Sequence, residues 1–167
     1  DDDPLDVSII WSVDDDTEAP ADVDIISAAD TVRGQTWTAT VTVEDGIHDP
    51  LVETASVVIG NAPPTVDALT LSPEAATSSD TLLAEVEASD PDDDPVALTW
   101  TWTADGVVIA DETADTLDAA QLVRGAEVVA HVTPFDGFED GVTVSSDAMV
   151  IDNSPPSLTG VRLDTGE

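Results

Sequence analysis

Asp90, Asp92 and Asp94 stand at alternate positions of the stretch Asp90-Pro91-Asp92-Asp93-Asp94-Pro95, which runs straight into the alternating segment Val96 to Trp102. Carboxylates at every second position of a turning loop can aim their oxygens at one centre, and a hard cation such as calcium takes six to eight oxygens at about 2.3–2.6 Å. Zinc is a poor match, because there is no thiol and the two histidines are far apart in the chain. The same stretch also suits a plain turn in which aspartates hydrogen-bond their own backbone. Both readings stand at this point.

Other chemistry finds no footing. An enzyme needs a small group of side chains with shifted proton affinities held in one place. The sequence has no Gly-x-Ser-x-Gly, no cysteine and no phosphate loop, and neither histidine recurs at the matching place of the repeat described below. A glycosidase-like carboxylate pair can be drawn by chance from 37 acidic residues, so it carries no weight. The expectation is a non-catalytic protein.

Charge narrows the partners. Against the 37 acids stand three arginines and no lysine, a formal net charge of −34. Nucleic acid and anionic membranes would repel such a surface, and cations are its natural counterparts. Acidity of this degree also fits a solvated surface suited to high salt. It does not imply disorder, since 41% of the residues are apolar, enough for a core. With no cysteine, stability must come from packing and from any bound metal. No apolar run reaches the length of a membrane span and no signal peptide opens the sequence, so direct membrane insertion of this segment is not expected.

The acidic loop is one of two copies. Trp11 and Trp102, Arg33 and Arg124, and Asp45 and Asp136 are each 91 residues apart, and Asp1-Asp2-Asp3-Pro4 lies under Asp92-Asp93-Asp94-Pro95. The linker Asn61-Ala62-Pro63-Pro64 answers to Asn153-Ser154-Pro155-Pro156 at a spacing of 92, which places a one-residue insertion in the last strand, where a bulge can absorb it. A period near 90 suits one small β domain per repeat. The organisation expected is a partial repeat over 1–61 lacking its first strands, a complete one over 62–153, and the linker and first strand of another over 154–167.

Within the complete copy, Thr65 to Leu71 follows a Pro-Pro that forbids a helix and reads as a first strand. Leu82, Ala84, Val86 and Ala88 alternate with Leu83, Glu85 and Glu87, then Leu98, Trp100 and Trp102 alternate with threonines. Asp105-Gly106 marks a turn before a short strand at Val107 to Ile109, and Leu117, with Ile26 as its counterpart, anchors another. Val128, Ala130 and Val132 form the inner face of the next strand, matching Trp37, Ala39 and Val41, and Val142 to Ile151 makes the last. Only Ala28 to Val32 and Ala119 to Val123 tolerate a helical turn. The fold class is all-β: tandem immunoglobulin-like β-sandwich domains of about seven strands each. The alternation of Trp11, Trp100 and Trp102 with threonine or serine makes them core residues in preference to sugar-stacking platforms, and His131 faces outward.

Several motifs in this order resemble the bacterial surface Ig-like repeats related to cadherin and PKD domains. They are Ala88-Ser89-Asp90-Pro91-Asp92-Asp93-Asp94-Pro95 before Leu-x-Trp-x-Trp, Arg124-Gly125 ahead of Val128 to Thr133, Asp136-Gly137 in the last hairpin, and the Asn-x-Pro-Pro linkers. Asp93 stands where such repeats commonly carry glycine. The resemblance implies an extracellular or cell-surface spacer or adhesin repeat, stabilised by calcium. In such a sandwich the loops holding Asp90, Asp92 and Asp94 and holding Asp136, Glu139 and Asp140 lie at one pole, beside Asn61. The early copy offers Asp1, Asp3, Asp45 and Asp49, with His48 in the place of Glu139. The expected partners are neighbouring repeats of the same chain. Identical subunits of an extracellular filament joined by strand addition, or a cell-surface glycan or protein, are the alternatives.

Overall fold

The computed structural model describes residues 4–14, 24–156, 158 and 160. It is all-β, and its only helical pieces among the described residues are single 3-10 turns at Ala28–Asp30 and Ala119–Gln121. Both fall where the sequence tolerates a helical turn. Each begins with a side-chain cap, Ser27 accepting from the Ala29 amide and Asp118 from the Ala119 amide. The chain divides into two compact units, Asp1–Ala62 and Pro63–Glu167.

The first unit holds a three-stranded antiparallel sheet of β1 (Asp6–Val13), β2 (Thr36–Glu44) and β3 (Leu51–Val58), with β2 central. The register runs without a break from Thr36 opposite Val58 to Val43 opposite Leu51. Trp11 and Trp37 meet edge to face, ring centroids 6.4 Å apart. Arg33 donates to the Asn61 side-chain oxygen at 2.6 Å.

The second unit is sandwich-like. One sheet pairs β4 (Thr65–Ser72), β5 (Leu82–Ser89) and β8 (Thr116–Leu117). The other places β9 (Glu127–Phe135) between β6 (Ala97–Ala104), which carries β7 (Val107–Val108) on its far edge, and the short β10 (Val144–Ser145) and β11 (Met149–Val150). The inward sets are those of the alternation: Leu82 and Ala84 from β5, Trp102 from β6, Leu117 from β8, and Val128 and Ala130 from β9 form one core with Ala76, Leu122 and Ile151. Fully burying a side chain of the size of Leu82 or Val128 contributes roughly 1.5–3 kcal/mol. Trp102 is fully buried, and its indole nitrogen is satisfied by the Ala114 carbonyl at 2.9 Å. His131 lies on the outer face of β9, hydrogen-bonded to Ser145 and Thr103.

Two expectations need correction. The last strand is not continuous from Val142 to Ile151. Val144 opposes Val132, yet Met149, and not residue 148, opposes Val128, so the pairing slips by one residue between β10 and β11. That slip is the inserted residue of the 92-residue spacing, taken up as a bulge while β3 of the other copy pairs unbroken. Buried Ser146 fills the gap, accepting from the Ala130 amide and donating to the Asp147 carbonyl. Second, Ile26 lies in no strand, although Leu117 does. Leu117 is held extended by pairing with Leu82, and among the described residues of the first unit no strand does this for Ile26.

Candidate cation site

Two register pairs bring the acidic turns of the second unit to one end. Thr65 lies opposite Ser89, and Ala97 opposite Phe135, so the start of β4, the end of β5, the start of β6 and the end of β9 are neighbours. Phe135 bridges to Asp140, and the Gly141 amide donates to the Pro134 carbonyl, closing the hairpin that follows β9.

Between β5 and β6 the loop winds around Asp90. Its Oδ1 accepts from the amides of Asp92 at 2.8 Å and Asp94 at 3.2 Å, and its carbonyl accepts from the Asp93 amide. Asp93 adopts φ of 61°, the left-handed region. This explains an aspartate where glycine is common, because a short polar side chain tolerates that conformation better than most. Pro91 and Pro95 stiffen the flanks.

The winding makes Asp90, Asp92 and Asp94 converge, with one carboxylate oxygen from each within 4.8 Å of the others and each residue half-buried. The Asp90 Oδ2 is the only buried side-chain nitrogen or oxygen among the described residues without a hydrogen-bond partner. Leaving a buried acceptor unsatisfied costs about 1–3 kcal/mol, and more when it is charged. The loop thus turns one Asp90 oxygen to its own amides and leaves the other without a donor.

The larger six-carboxylate set is not brought together. Among the described residues the convergent group is Asp90, Asp92 and Asp94; Asp136, Glu139 and Asp140 share that end of the unit but not the group. Asp136 is buried, and its Oδ1 accepts from the amides of Phe138 at 2.6 Å and Glu139 at 2.8 Å, which commits that oxygen to its own hairpin. Glu139 and Asp140 are exposed.

In the first unit Asp45 repeats the Asp136 turn, accepting from the amides of Ile47 at 2.9 Å and His48 at 2.8 Å, and its second oxygen meets the His48 ring at 2.8 Å. The His48 amide first, then the His48 ring and the Ile47 amide, hold the Asp45 carboxyl down from 3.8 to about 2. Asp49 is exposed, and Asn61 is engaged by Arg33. Asp1 and Asp3 lie outside the described residues.

Sequence reasoning passed over one pinned turn. Asp80 Oδ2 accepts from the amide and hydroxyl of Thr77, at 2.8 and 2.7 Å, and this lowers its proton affinity. Thr77-Ser78-Ser79-Asp80, a hydroxyl three residues before an aspartate, is the signal that marks it.

No family model matches the chain, and no curated protein matches it.

Proposed function

We propose that this chain is a non-catalytic, extracellular array of immunoglobulin-like repeats, a spacer or adhesin segment in which calcium bound at the Asp90 loop stiffens the end of the sandwich where β4 begins. The observation that carries this reading is the orphaned Asp90 Oδ2 within the converged Asp90, Asp92 and Asp94 carboxylates. An all-oxygen, negatively charged donor set suits a hard divalent cation, with backbone carbonyls and water completing the shell. Two further facts support the reading. Sheets ordered β4-β5-β8 and β10-β9-β6-β7 are compatible with a β-sandwich, the architecture this reading needs. No helix among the described residues is long and apolar enough to cross a membrane.

Bound calcium would convert mutual repulsion among three carboxylates into ligation and so couple to folding. Extracellular calcium modules bind at about 10⁻⁴–10⁻³ M. At about 10 mM calcium, linkage then gives about 1.4–2.7 kcal/mol of stabilisation. For a unit of this size that raises Tm by roughly 6–20 °C. The test is a thermal melt of the full chain in calcium, in chelator, and in potassium chloride from matched ionic strength to molar concentration. If monovalent salt alone recovers all of the stability, a generally acidic surface accounts for the charge and the specific site is wrong.

A further inference from the structure

The two units agree down to single hydrogen bonds. Asp14 and Asp105 both take left-handed φ, and each accepts from the amide of the residue to which its own amide is tied, Thr36 and Glu127 respectively. Gly34 donates to the Ile59 carbonyl as Gly125 donates to that of Ile151, and Ile59 returns to Gln35 as Ile151 returns to Ala126. The face of β1 and β2 that carries Val7, Trp11, Ala39 and Val41 is therefore the counterpart of the face that β6 and β9 turn into the core.

Its environment differs. Trp102, Ala130 and Val132 are fully buried, whereas Trp11, Ala39 and Val41 are only half-buried and Val7 is 56% exposed. In the second unit the cover is the β4-β5-β8 sheet, through Leu82 and Ala84 with Leu69 and Leu71 beside them. Among the described residues of the first unit no strand answers to β4 or β5. The unmatched ladder is a second mark of the same gap. Leu117 pairs with Leu82, while its counterpart Ile26 lies in no strand.

We propose that this face of the first unit is a docking surface for a two-stranded antiparallel β-sheet bearing the apolar alternation of residues 62–91. The positions equivalent to Leu82 and Ala84 lie over Trp11 and Ala39, and the inner strand pairs with the backbone at Ile26. The paired strand distinguishes this occupant from a merely apolar one: an extended partner answers both the half-buried face and Ile26, which joins no described strand. Pro50 occupies the position of Gly141, so the prolines that lead the occupant seat differently from Pro63 and Pro64. The surface is independent of any cation at Asp90.

The test is the full chain with a second copy of residues 62–91 joined ahead of Asp1, which preserves the 91-residue spacing. Amide hydrogen exchange at Trp11, Ile26, Ala39 and Val41 is expected to slow by at least about tenfold, and the added segment to resist proteolysis. A matched chain with Leu82→Asp and Ala84→Asp made in the added segment alone should lose both effects, while the second unit melts unchanged in both chains. An added segment that stays protease-sensitive, with exchange at those amides unaltered, overturns the proposal. So does concentration-dependent dimerisation of the unextended chain that protects the same amides, because a second copy would then be the occupant.

Discussion

Asp90→Asn separates a cation ligand from a turn-former by the sign of its effect. The asparagine side-chain oxygen can still accept from the Asp92 and Asp94 amides, so the turn is kept, while the negative charge and the bare second oxygen are lost. One oxygen from each of the three carboxylates lies within 4.8 Å of the others, where two unit charges repel by about 0.9 kcal/mol at the dielectric of water. Salt at about 0.15 M roughly halves this. Removing one charge of three relieves two pairs, so without a cation the variant should be more stable than the parent by about 1 kcal/mol. In about 10 mM calcium it should forfeit most of the 1.4–2.7 kcal/mol that ligation supplies. The difference between parent and variant therefore reverses sign, a swing of up to about 1.4–2.7 kcal/mol between the two solutions. Urea titrations of both proteins at fixed ionic strength, in calcium and in chelator, read it as a crossing of midpoints at constant slope. A variant weakened equally in both solutions would mean that Asp90 serves the turn alone.

Two further outcomes follow from packing and proton linkage. A methyl group at Gly141 would run into the Pro64 carbonyl oxygen and sit 2.8 Å from the Pro134 ring, and both prolines are fully buried. Gly141→Ala should therefore lower the urea midpoint of the second unit by the equivalent of about 1–3 kcal/mol; no loss would show that the backbone there yields. Asp45 has its folded pKa depressed from 3.8 to about 2, so its contribution is present above 3.8 and drains away as pH falls through about 2. Carboxyl titration followed by NMR should give an Asp45 midpoint near 2, and His48→Ala should move it up; a midpoint at the ordinary value in the parent would refute the His48 contacts.

Much of this was legible because the two copies check each other. The alternation around Trp102, Val128 and Leu82 reads directly as strand and face, since period-two burial is the strongest local signal a sandwich writes into its sequence. Even the broken last strand was foreshadowed, because one extra residue between aligned linkers must go somewhere, and a bulge accommodates it without turning the flanking side chains inside out. What was not legible depends on cross-strand partners. Ile26 has the residue type of Leu117 but not its neighbour, and an extended segment without a ladder to join is not a strand. The candidate site was half legible for a related reason. Spacing brings Asp90, Asp92 and Asp94 together within one loop, whereas the direction taken by Asp136 is fixed by a hydrogen-bonded hairpin that spacing does not describe.

The acidic turns share one habit, a carboxylate oxygen bound by a backbone amide in or beside the turn. Asp14 and Asp105 spend a carboxylate oxygen on a backbone amide beside their turns, and Asp45 and Asp136 spend one on two amides of their own. Asp80 concentrates both its bonds on Thr77. These are structural aspartates, and they account for many of the acidic loops without any ligand. Asp90 makes the same two-amide turn with Oδ1, so the plain-turn and cation readings of its loop do not exclude each other. The distinction lies in burial and company: its Oδ2 is out of water and lacks a donor, and its carboxylate belongs to a group in which two more converge. A turn alone requires none of these three features. A cation would make use of them all, at the end of the unit where the acidic loop and the start of β4 lie together.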